Sequence, residues 1–478
     1  VNLPKYCPLE RRQKQNLDCV SCAPSPSLKN LTTMTSPHHE PNGDNSGLAT
    51  KKPKLSTITA SEIRIEFFHH DPEVARVNNG SFGCCPASVA AAADQWRRLF
   101  LRQPDHFYFN QLRPALLRSR ALIKDLINAD DVDEVSLVDN ATTAIAIVLQ
   151  QIGWAFSDGR YLPGDAVVML HYAYGSVKKS IEAYVTRAGG YVIEVQLPFP
   201  VNSNEEIVNE FRKALARGKS NGRKVRLAVI DHVTSMPSVV IPVKELVNIC
   251  REEGVEQVFV DAAHGIGCID VDMQEIGADF YTSNLHKWFF CPPSVAFLYT
   301  RKSPSPSYPD LHHPVVSHEY GNGLAIESAW IGTRDYSAQL VVPSALEFIS
   351  RFEGGIEGIK KRNHERVVEM GRMLAKAWGT NLGCSADMCA SMIMVGLPSA
   401  LGISSDSDTL KLRTHLRDNF GVEVPIYFQP PKDGEICPIA GYARICHQVY
   451  NTTDDYYKFR DAINKLVLDG FTCMLLSA

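Results

Sequence analysis

The sequence predicts an α/β fold: a large domain with a mostly parallel sheet, followed by a smaller α+β domain. Three observations support this prediction. Short apolar runs with many β-branched residues recur between residues 131 and 342, and amphipathic helical segments separate them. This alternation is typical of βαβ units whose sheet is covered on both faces. After about Pro343 the alternation stops, and a long helical segment precedes short strands.

The individual elements of the large domain follow from local sequence. Five strands are predicted, at EVSLVD, AVVML, YVIEV, VRLAVID and QVFVD, and a further apolar strand is predicted just before Lys287. Helices are predicted between them, at ATTAIAIVLQQIG, SVKKSIEAYVTRAG, NEEIVNEFRKALARG and PVKELVNICREEG. Before the first strand, helices are predicted at SEIRIEFFHH, ASVAAAADQWRRLFLRQ and RPALLRSRALIKDLINA.

The carboxyl-terminal part has a different pattern of predicted helices and strands. A long helix is predicted at GGIEGIKKRNHERVVEMGRMLAKAWG and another around LKLRTHLRDNF, with short strands at VEVPIYF and YARICHQ and a last helix from Asp454. Residues 1–60 are rich in Ser, Pro, Asn, Thr and Lys, which predicts a disordered or targeting extension. The expected division is therefore 1–60 extension, 61–130 amino-terminal arm and helices, 131–342 large domain, and 343–478 small domain.

Composition excludes several classes of protein. The net charge of -4 provides no basic field for nucleic acid. No apolar run approaches the roughly 20 residues that span a bilayer. The 13 cysteines are scattered over a long chain, which indicates reduced intracellular thiols rather than a disulfide framework. We expect neither a nucleic-acid partner nor a membrane partner.

Two short motifs lie in the amino-terminal extension. KKPKL (Lys51 to Leu55) has the composition of a nuclear-import signal, although basic tetrads are also common in solvated tails. Cys19 and Cys22 form one CxxC pair, which is too little for the paired spacing of a zinc site. We therefore expect no metal. Cytosol or nucleus is expected from KKPKL, with plastid or mitochondrion as alternatives.

Lys287 is the most informative residue of the sequence. It lies among aromatic residues in ADFYTSNLHKWFFCPPS, a stretch of core character, with His286 beside it. A buried ammonium is costly unless it is paired or neutralised. Taken alone, such a lysine is better explained by a stem that packs and a head that reaches water. Other residues must therefore support a functional interpretation.

Further chemical groups follow the strands at their carboxyl ends, where ligands bind in open α/β sheets. NATTA (Asn140 to Ala144) opens a helix with small residues and threonines, which suits a phosphate, although Asn and Thr also serve as plain N-caps. HYAY (His171 to Tyr174) offers flat rings, and HVTS follows another strand. Asp261 ends the core strand QVFVD and needs a cationic or hydrogen-bonding partner.

A phosphate site, flat rings, a buried aspartate and a buried lysine together suit pyridoxal 5'-phosphate. This cofactor takes a lysine amine for its Schiff base and a carboxylate for its ring nitrogen. Burial is then favourable, because desolvation lowers the pKa of a lysine and favours the nucleophilic neutral amine.

The segments VFVDAAHGIG and ADFYTSNLHKW resemble the class V branch of the fold-type I pyridoxal-phosphate enzymes, which holds cysteine desulfurases and isopenicillin N epimerase. From about residue 61 to 470 the sequence is similar to the plant L-cysteine desulfhydrases, in NNGSFGCCP, DEVSLVDNATTA, FPVNSNEE and SNLHKWFFCPPS. The resemblance implies a fold-type I large domain, pyridoxal 5'-phosphate as cofactor, L-cysteine as substrate and a homodimer.

The resemblance also implies roles for individual residues. Lys287 forms the Schiff base, Asp261 pairs with the pyridinium nitrogen, and His264 lies near the ring hydroxyl. The other residues that it assigns to the cofactor are Ala141, Thr142, Tyr172, Ser283 and His286, with Asn284 as an alternative to Ser283, and His171 and Tyr174 as alternatives to Tyr172.

Two further segments carry roles by resemblance. Thr333, in GTRD, would reach the phosphate of a neighbouring subunit, with Arg334 beside it. Arg444 and Asn79 would bind the substrate. The rigid fork of donors on Arg444 suits the substrate carboxylate. A surface arginine on a strand is the plain alternative for Arg444.

The residues fit more than one reaction. A cysteine desulfurase needs a mobile acceptor cysteine. The position that aligns with this cysteine falls near Gln429, and Cys437 lies only seven residues before Arg444, which is too close for that role. The sequence therefore favours α,β-elimination of L-cysteine to hydrogen sulfide, pyruvate and ammonia, with Lys287 taking the α-proton. Epimerase-like or aminotransferase chemistry would use the same residues, and an inactive scaffold is the alternative from another class of protein.

Overall fold

The computed structural model describes residues 57–220, 222–302, 310–430 and 439–475. KKPKL, the CxxC pair and Cys437 lie outside these ranges, so the predictions made on them stay predictions. Within them the strands are β1 (Ala75–Arg76), β2 (Val135–Val138), β3 (Ala166–Leu170), β4 (Tyr191–Val195), β5 (Val225–Asp231), β6 (Gln257–Asp261), β7 (Phe280–Asn284), β8 (Ala296–Thr300), β9 (Met392–Gly396), β10 (Val422–Glu423), β11 (Ile426–Phe428) and β12 (Gly441–Cys446).

The helices cover most of the predicted helical segments. They are α1 (Ala60–Glu66), α2 (Asn79–Phe82), α3 (Ala87–Arg102), α4 (Pro104–His106), α5 (Arg113–Leu126), α6 (Ala141–Ser157), α7 (Gly175–Tyr184), α8 (Asn204–Lys219), α9 (Val243–Glu252), α10 (Met273–Ile276), α11 (Leu285–Trp288), α12 (Leu324–Glu327), α13 (Ser337–Leu340), α14 (Val342–Ser350), α15 (Gly355–Trp378), α16 (Asp406–Phe420) and α17 (Thr453–Leu468). None of these described helices combines the length and the apolar character of a membrane span.

The main sheet has seven strands in the order β2-β8-β7-β6-β5-β3-β4. The pairings β4–β3, β3–β5, β5–β6 and β6–β7 are parallel, whereas β8 is antiparallel to both β7 and β2. The predicted α/β fold with a mostly parallel sheet is therefore confirmed. Strand β8 (AFLYT) is not among the predicted strands. The short connection from β7, which contains α11, has no room for the helical crossover that a parallel neighbour requires, so β8 is antiparallel to β7.

Helices cover both faces of the sheet, as the alternation of β3 side chains shows. Val167 and Met169 enter one apolar layer, which they share with side chains of α6 and α7. Val168 and Leu170 enter the opposite layer, together with side chains of α8 and α9. Successive residues of a strand point to opposite faces, so a strand buried on both faces must be apolar throughout.

A second sheet lies in the carboxyl-terminal part, in the antiparallel order β11-β12-β9. The predicted strand VEVPIYF is split into β10 and β11 because Pro425 has no N–H to donate to a ladder. Strand β10 pairs instead with β1 of the amino-terminal arm, and the amide of Cys446 donates to the carbonyl of Val77. The arm is thus bound to the carboxyl-terminal sheet, while the boundary near residue 343 stays a prediction.

Gly83, at the end of α2, is in close contact with the segment that carries Lys287. Its φ is +72°, and a Cβ atom there would overlap the carbonyl oxygen of His286 and approach the backbone of Lys287. Only glycine provides both the backbone conformation and the space.

We predict that Gly83→Ala lowers the free energy of unfolding by about 3 kcal/mol or more, since backbone strain and atomic overlap add. Gly159→Ala is the matched control, because Gly159 has a φ of +75° but no atom near its virtual Cβ. It should cost about 1 kcal/mol. The midpoints of urea unfolding measure both effects, and equal shifts would contradict the close packing of Gly83.

Candidate active site

One cavity of about 170 Å³ opens at the carboxyl ends of β5, β6 and β7. Its position agrees with the rule that ligands of α/β sheets bind beyond these strand ends. The lining is mostly polar, and it brings together residues from six separate segments of the chain: Ser81, Asn140, Ala141, Thr142, Tyr174, Ser176, Val177, Asp231, Val233, Ser235, Asp261, Ala263, His264, Asn284, His286 and Lys287.

Lys287 lies on α11, the single helical turn that follows β7. Its Nζ is 3.2 Å from Nε2 of His264, and its backbone carbonyl accepts a hydrogen bond of 2.9 Å from the side chain of Asn79. Burial, together with the positive charge of Arg444, lowers the pKa of Lys287 to about 8 from its ordinary 10.5. The amine is therefore neutral far more often than that of an exposed lysine.

Two carboxyl groups face the cavity side by side. Asp231 ends β5, Asp261 ends β6, and the two residues are direct partners in the parallel register. Burial raises the pKa of both groups, and the charge of Asp261 raises the pKa of Asp231 further. Asp261 is the better site for the charge, because the amide of Ala263 donates to it at 3.0 Å and Lys287 is near. The pKa of Asp231 is accordingly raised further than that of Asp261.

His264 lies between Lys287 and the core. It is 2% exposed, and burial, with a smaller contribution from the charge of Lys287, lowers its pKa well below the ordinary value. Its Nδ1 accepts a hydrogen bond of 3.2 Å from the indole nitrogen of Trp288. The residue is therefore a neutral imidazole that contacts the lysine through its other nitrogen.

The amino terminus of α6 forms another wall of the cavity. Asn140 caps the helix by accepting from the amide of Thr143 at 2.9 Å, and Asn284 accepts from the amide of Ala141 at the same distance. The hydroxyl oxygens of Thr142 and Ser176 are 3.1 Å apart. A helix amino terminus that carries hydroxyl groups favours an anion.

His286 also lines the cavity, and its protonation follows from its contacts. Its Nδ1 is 3.2 Å from the carbonyl of Val295, so that nitrogen carries a proton. Burial and the charge of Lys287 lower the pKa of His286 to about 4. In the absence of a ligand the ring is neutral, and a nearby anion would raise its pKa.

Arg444 is 1% exposed and lies behind the cavity wall rather than in it. Its Nη1 donates to the hydroxyl and carbonyl oxygens of Ser235 at 2.9 and 3.1 Å. Its Nη2 donates to the hydroxyl of Ser81 at 2.7 Å and to Oδ1 of Asn78 at 3.2 Å. Ser81 and Ser235 line the cavity, so they separate the guanidinium from it.

Several residues singled out in the sequence lie elsewhere. Asn79 is fully buried and holds the backbone of Lys287, whereas its neighbour Asn78 contacts Arg444. The hydroxyl of Ser283 accepts from the amide of Ile266, and Asn284 takes the place at the cavity.

The aromatic segment HYAY contributes one ring to the cavity lining, and the role of Tyr172 stays a prediction. The ring of Tyr172 is tilted by 40° against that of His171, with 3.7 Å between ring centroids, and Tyr174 is the member of the segment that lines the cavity. Thr333 is exposed and outside the cavity of its own chain, and Arg334 forms an ion pair with Asp139.

The sequence did not single out Asp231, Ser81 or Asn78. Asp231 ends the strand VRLAVID just as Asp261 ends QVFVD, so the signal was present and went unused. Ser81 and Asn78 gave no such signal, because they reach the site only through the pairing of β1 with β10.

The cavity fits pyridoxal 5'-phosphate by the chemistry of its groups. It offers an amine with a lowered pKa, a charged carboxylate and a hydroxyl-bearing helix start, which match an aldehyde, a cationic ring nitrogen and a phosphate. In addition, Oδ2 of the 4%-exposed Asp231 lacks a hydrogen-bond partner, so a bound ligand can supply one.

We predict that Lys287→Met stabilises the cofactor-free protein at pH 7. The folded pKa of about 8 lies below the ordinary 10.5, so the ammonium destabilises the fold fully below pH 8, and this loss is relieved between pH 8 and 10.5. The expected gain is about 2–3 kcal/mol at pH 7 and falls toward zero by pH 10.5.

Lys179→Met is the control, since the Lys179 side chain is 80% exposed and a change there should remain within about 0.5 kcal/mol. Urea unfolding across the pH range gives the measurement. A gain that does not change with pH would show that packing, rather than charge, causes the difference in unfolding free energy between Lys287→Met and the original protein.

Comparison with known proteins places the chain in a family. The family model "Aminotransferase class-V" matches residues 102–398. A protein from Arabidopsis thaliana named "Probable L-cysteine desulfhydrase, chloroplastic" is 71% identical over 430 residues, which cover 89% of this chain and 90% of that protein. A second Arabidopsis thaliana protein, "L-cysteine desulfhydrase", is 63% identical over 438 residues, covering 90% of this chain and 96% of that protein.

The fold has counterparts among solved structures. The apo structure of a cysteine desulfurase from Thermococcus onnurineus NA1 superposes with a TM-score of 0.63 at 18% identity, covering 87% of this chain and all of that one. At this identity the likeness shows the fold, which is that of the fold-type I pyridoxal-phosphate enzymes. The family match and the two plant relatives, taken with the cavity around Lys287, show that the chain belongs to the class-V aminotransferase family of pyridoxal-phosphate-dependent enzymes.

Proposed function

We propose that the chain is an L-cysteine desulfhydrase, which converts L-cysteine and water to hydrogen sulfide, pyruvate and ammonia by α,β-elimination followed by hydrolysis. The names of its relatives at 71% and 63% identity support this activity. The observation that carries the proposal is the cavity itself, because it joins the readily neutralised amine of Lys287 to a carboxyl pair and a phosphate-type helix start.

Five residues would hold pyridoxal 5'-phosphate. Lys287 would link to it covalently, and Asp261, as the charged member of the carboxyl pair, would face its ring nitrogen. Thr142, Ser176 and His286 would surround its phosphate, whose negative charge would raise the pKa of His286. When bound, the cofactor supplies an electrophilic carbon and a conjugated ring that accepts electron density from the substrate α-carbon.

Lys287 would act as the base of the reaction. A base must be unprotonated at the working pH, and a pKa of about 8 keeps a substantial fraction of Nζ in that form. His264, 3.2 Å away, holds Nζ on its side of the cavity. We propose that Lys287 takes the proton from the α-carbon and that sulfur then leaves from the β-carbon.

Arg444 would bind the substrate carboxylate by exchanging partners. Its terminal N–H groups are directed at Ser81 and Ser235, which form the wall of the cavity. A carboxylate that displaces the two hydroxyl groups would receive charge-assisted hydrogen bonds, while Asn78 and the Ser235 carbonyl retain the guanidinium.

Desulfurase chemistry has less support from the described residues. It needs a nucleophilic thiolate, and the thiol of Cys446 is fully buried, accepts from the amide of Gly80 at 3.3 Å, and has a pKa raised by burial. Gln429, at the position aligned with the family nucleophile, lies outside the cavity. Cys437 lies outside the described ranges, so the reaction products must decide.

We predict that the purified protein releases hydrogen sulfide and pyruvate from L-cysteine in equal amounts, and that Lys287→Ala reduces both by about 1,000-fold or more, since base and covalent link are lost together. Parallel reactions with D-cysteine and cystine define the substrate. Lys179→Ala serves as the control, because the Lys179 side chain is 80% exposed and lies outside the cavity lining. Alanine in place of pyruvate would identify a desulfurase and contradict the proposal.

We further propose that the protein is a homodimer in which residues 61–130 contribute to the interface. This segment exposes large apolar side chains, including Leu101 at 73% and Phe109 at 82%. Apolar groups of that size are commonly covered by a partner. The exposed Thr333 would then extend toward the phosphate site of the partner.

Import into plastids stays a prediction, which the name of the 71%-identical relative supports.

We predict that the double substitution Leu101→Asp and Phe109→Asp converts a dimer into a monomer of 53.0 kDa in sedimentation, because two carboxylates cannot be desolvated without partners. Leu162→Asp, at a 60%-exposed position before β3, is the control and should leave the dimer intact. A dimer that persists in the double variant would place the interface elsewhere.

A further inference from the structure

The hydrogen bond between Trp288 and His264 determines which nitrogen of the histidine carries its proton. The indole N–H can only donate, so Nδ1 of His264, 3.2 Å away, must accept through a lone pair. His264 is buried and neutral, and a neutral imidazole has a single proton. That proton is therefore on Nε2, the nitrogen that faces Nζ of Lys287.

An Nε2–H group at 3.2 Å from Nζ discriminates between the two forms of the lysine. A neutral amine has a lone pair and accepts the hydrogen bond. An ammonium has only donors, so two N–H groups would face each other. The opposite tautomer of His264 would reverse this preference, because its bare Nε2 would accept from an ammonium.

We propose that Trp288 is a positioning residue, which fixes His264 as the Nε2–H tautomer and thereby favours the free amine of Lys287. This inference rests on the proposed function, since that reaction requires the free amine as nucleophile and base. Simple packing is the alternative role of Trp288, whose apolar neighbours include Val233 and Met392.

The other charged and titratable groups around Lys287 come from different elements. Asp261 lies on β6, Arg444 and Cys446 lie on β12, and His286 precedes Lys287 on α11. The charge of Asp261 favours the ammonium, and that of Arg444 disfavours it. A substitution at Trp288 changes none of these groups, so a shift in the titration of Lys287 would report on His264.

The test uses Trp288→Phe in the full chain freed of its cofactor. Pyridoxal 5'-phosphate is added, and the rate of its covalent attachment is followed by absorbance as a function of pH. The original protein should show a midpoint near pH 8, the pKa of Lys287. In Trp288→Phe, His264 can change tautomer, so we expect the midpoint to rise by about one unit and the rate at pH 7 to fall about tenfold.

The control is Trp378→Phe, because the indole nitrogen of Trp378 has no hydrogen-bond partner. It should leave the midpoint unchanged. A slower reaction at every pH with an unchanged midpoint in Trp288→Phe would assign Trp288 a packing role and overturn the proposal.

If Trp288→Phe does not fold, 3-benzothienylalanine incorporated at position 288 retains the shape of the side chain and lacks the N–H donor. The same rise in midpoint is expected, and an unchanged midpoint again overturns the proposal. Because attachment of the cofactor requires no cysteine, the result is independent of the proposed reaction. A protein that shows the shift but makes no sulfide would contradict the proposed function alone.

Discussion

The desolvation of Lys287 is the constraint on which the rest of the site depends. Removing an ammonium from water disfavours it, and the nearby guanidinium of Arg444 adds to this effect. The carboxylate of Asp261 acts in the opposite direction, so the pKa falls to about 8 rather than further. A pKa close to the ordinary 10.5 would leave the lysine almost entirely an ammonium at neutral pH, and an ammonium is neither a nucleophile nor a base.

The arrangement of the two aspartates keeps that balance. If both were ionised, two negative charges would favour the ammonium and oppose the fall in pKa. The register of β5 and β6 places the carboxyls side by side, and the charge of Asp261 raises the pKa of Asp231. A neutral Asp231 leaves Asp261 as the single carboxylate that acts on Lys287.

The sequence was informative where function follows from a position along one strand. Asp261 and Lys287 could be predicted as site residues because a charged residue at the end of an apolar run is visible in the linear sequence, and both line the cavity. The choices between Tyr172 and Tyr174 and between Ser283 and Asn284 could not be made from the sequence, because the direction of a side chain depends on tertiary contacts. A shift of one residue reverses that direction in a strand.

The amino-terminal arm connects the two parts of the site physically. Within a few residues Asn78 and Ser81 hold Arg444, Asn79 holds the backbone of Lys287, and Gly83 packs on the turn before it. The arm itself is fixed by the pairing of β1 with β10. A displacement of the arm would therefore alter the surroundings of Arg444 and Lys287 together, because the same short segment contacts both residues.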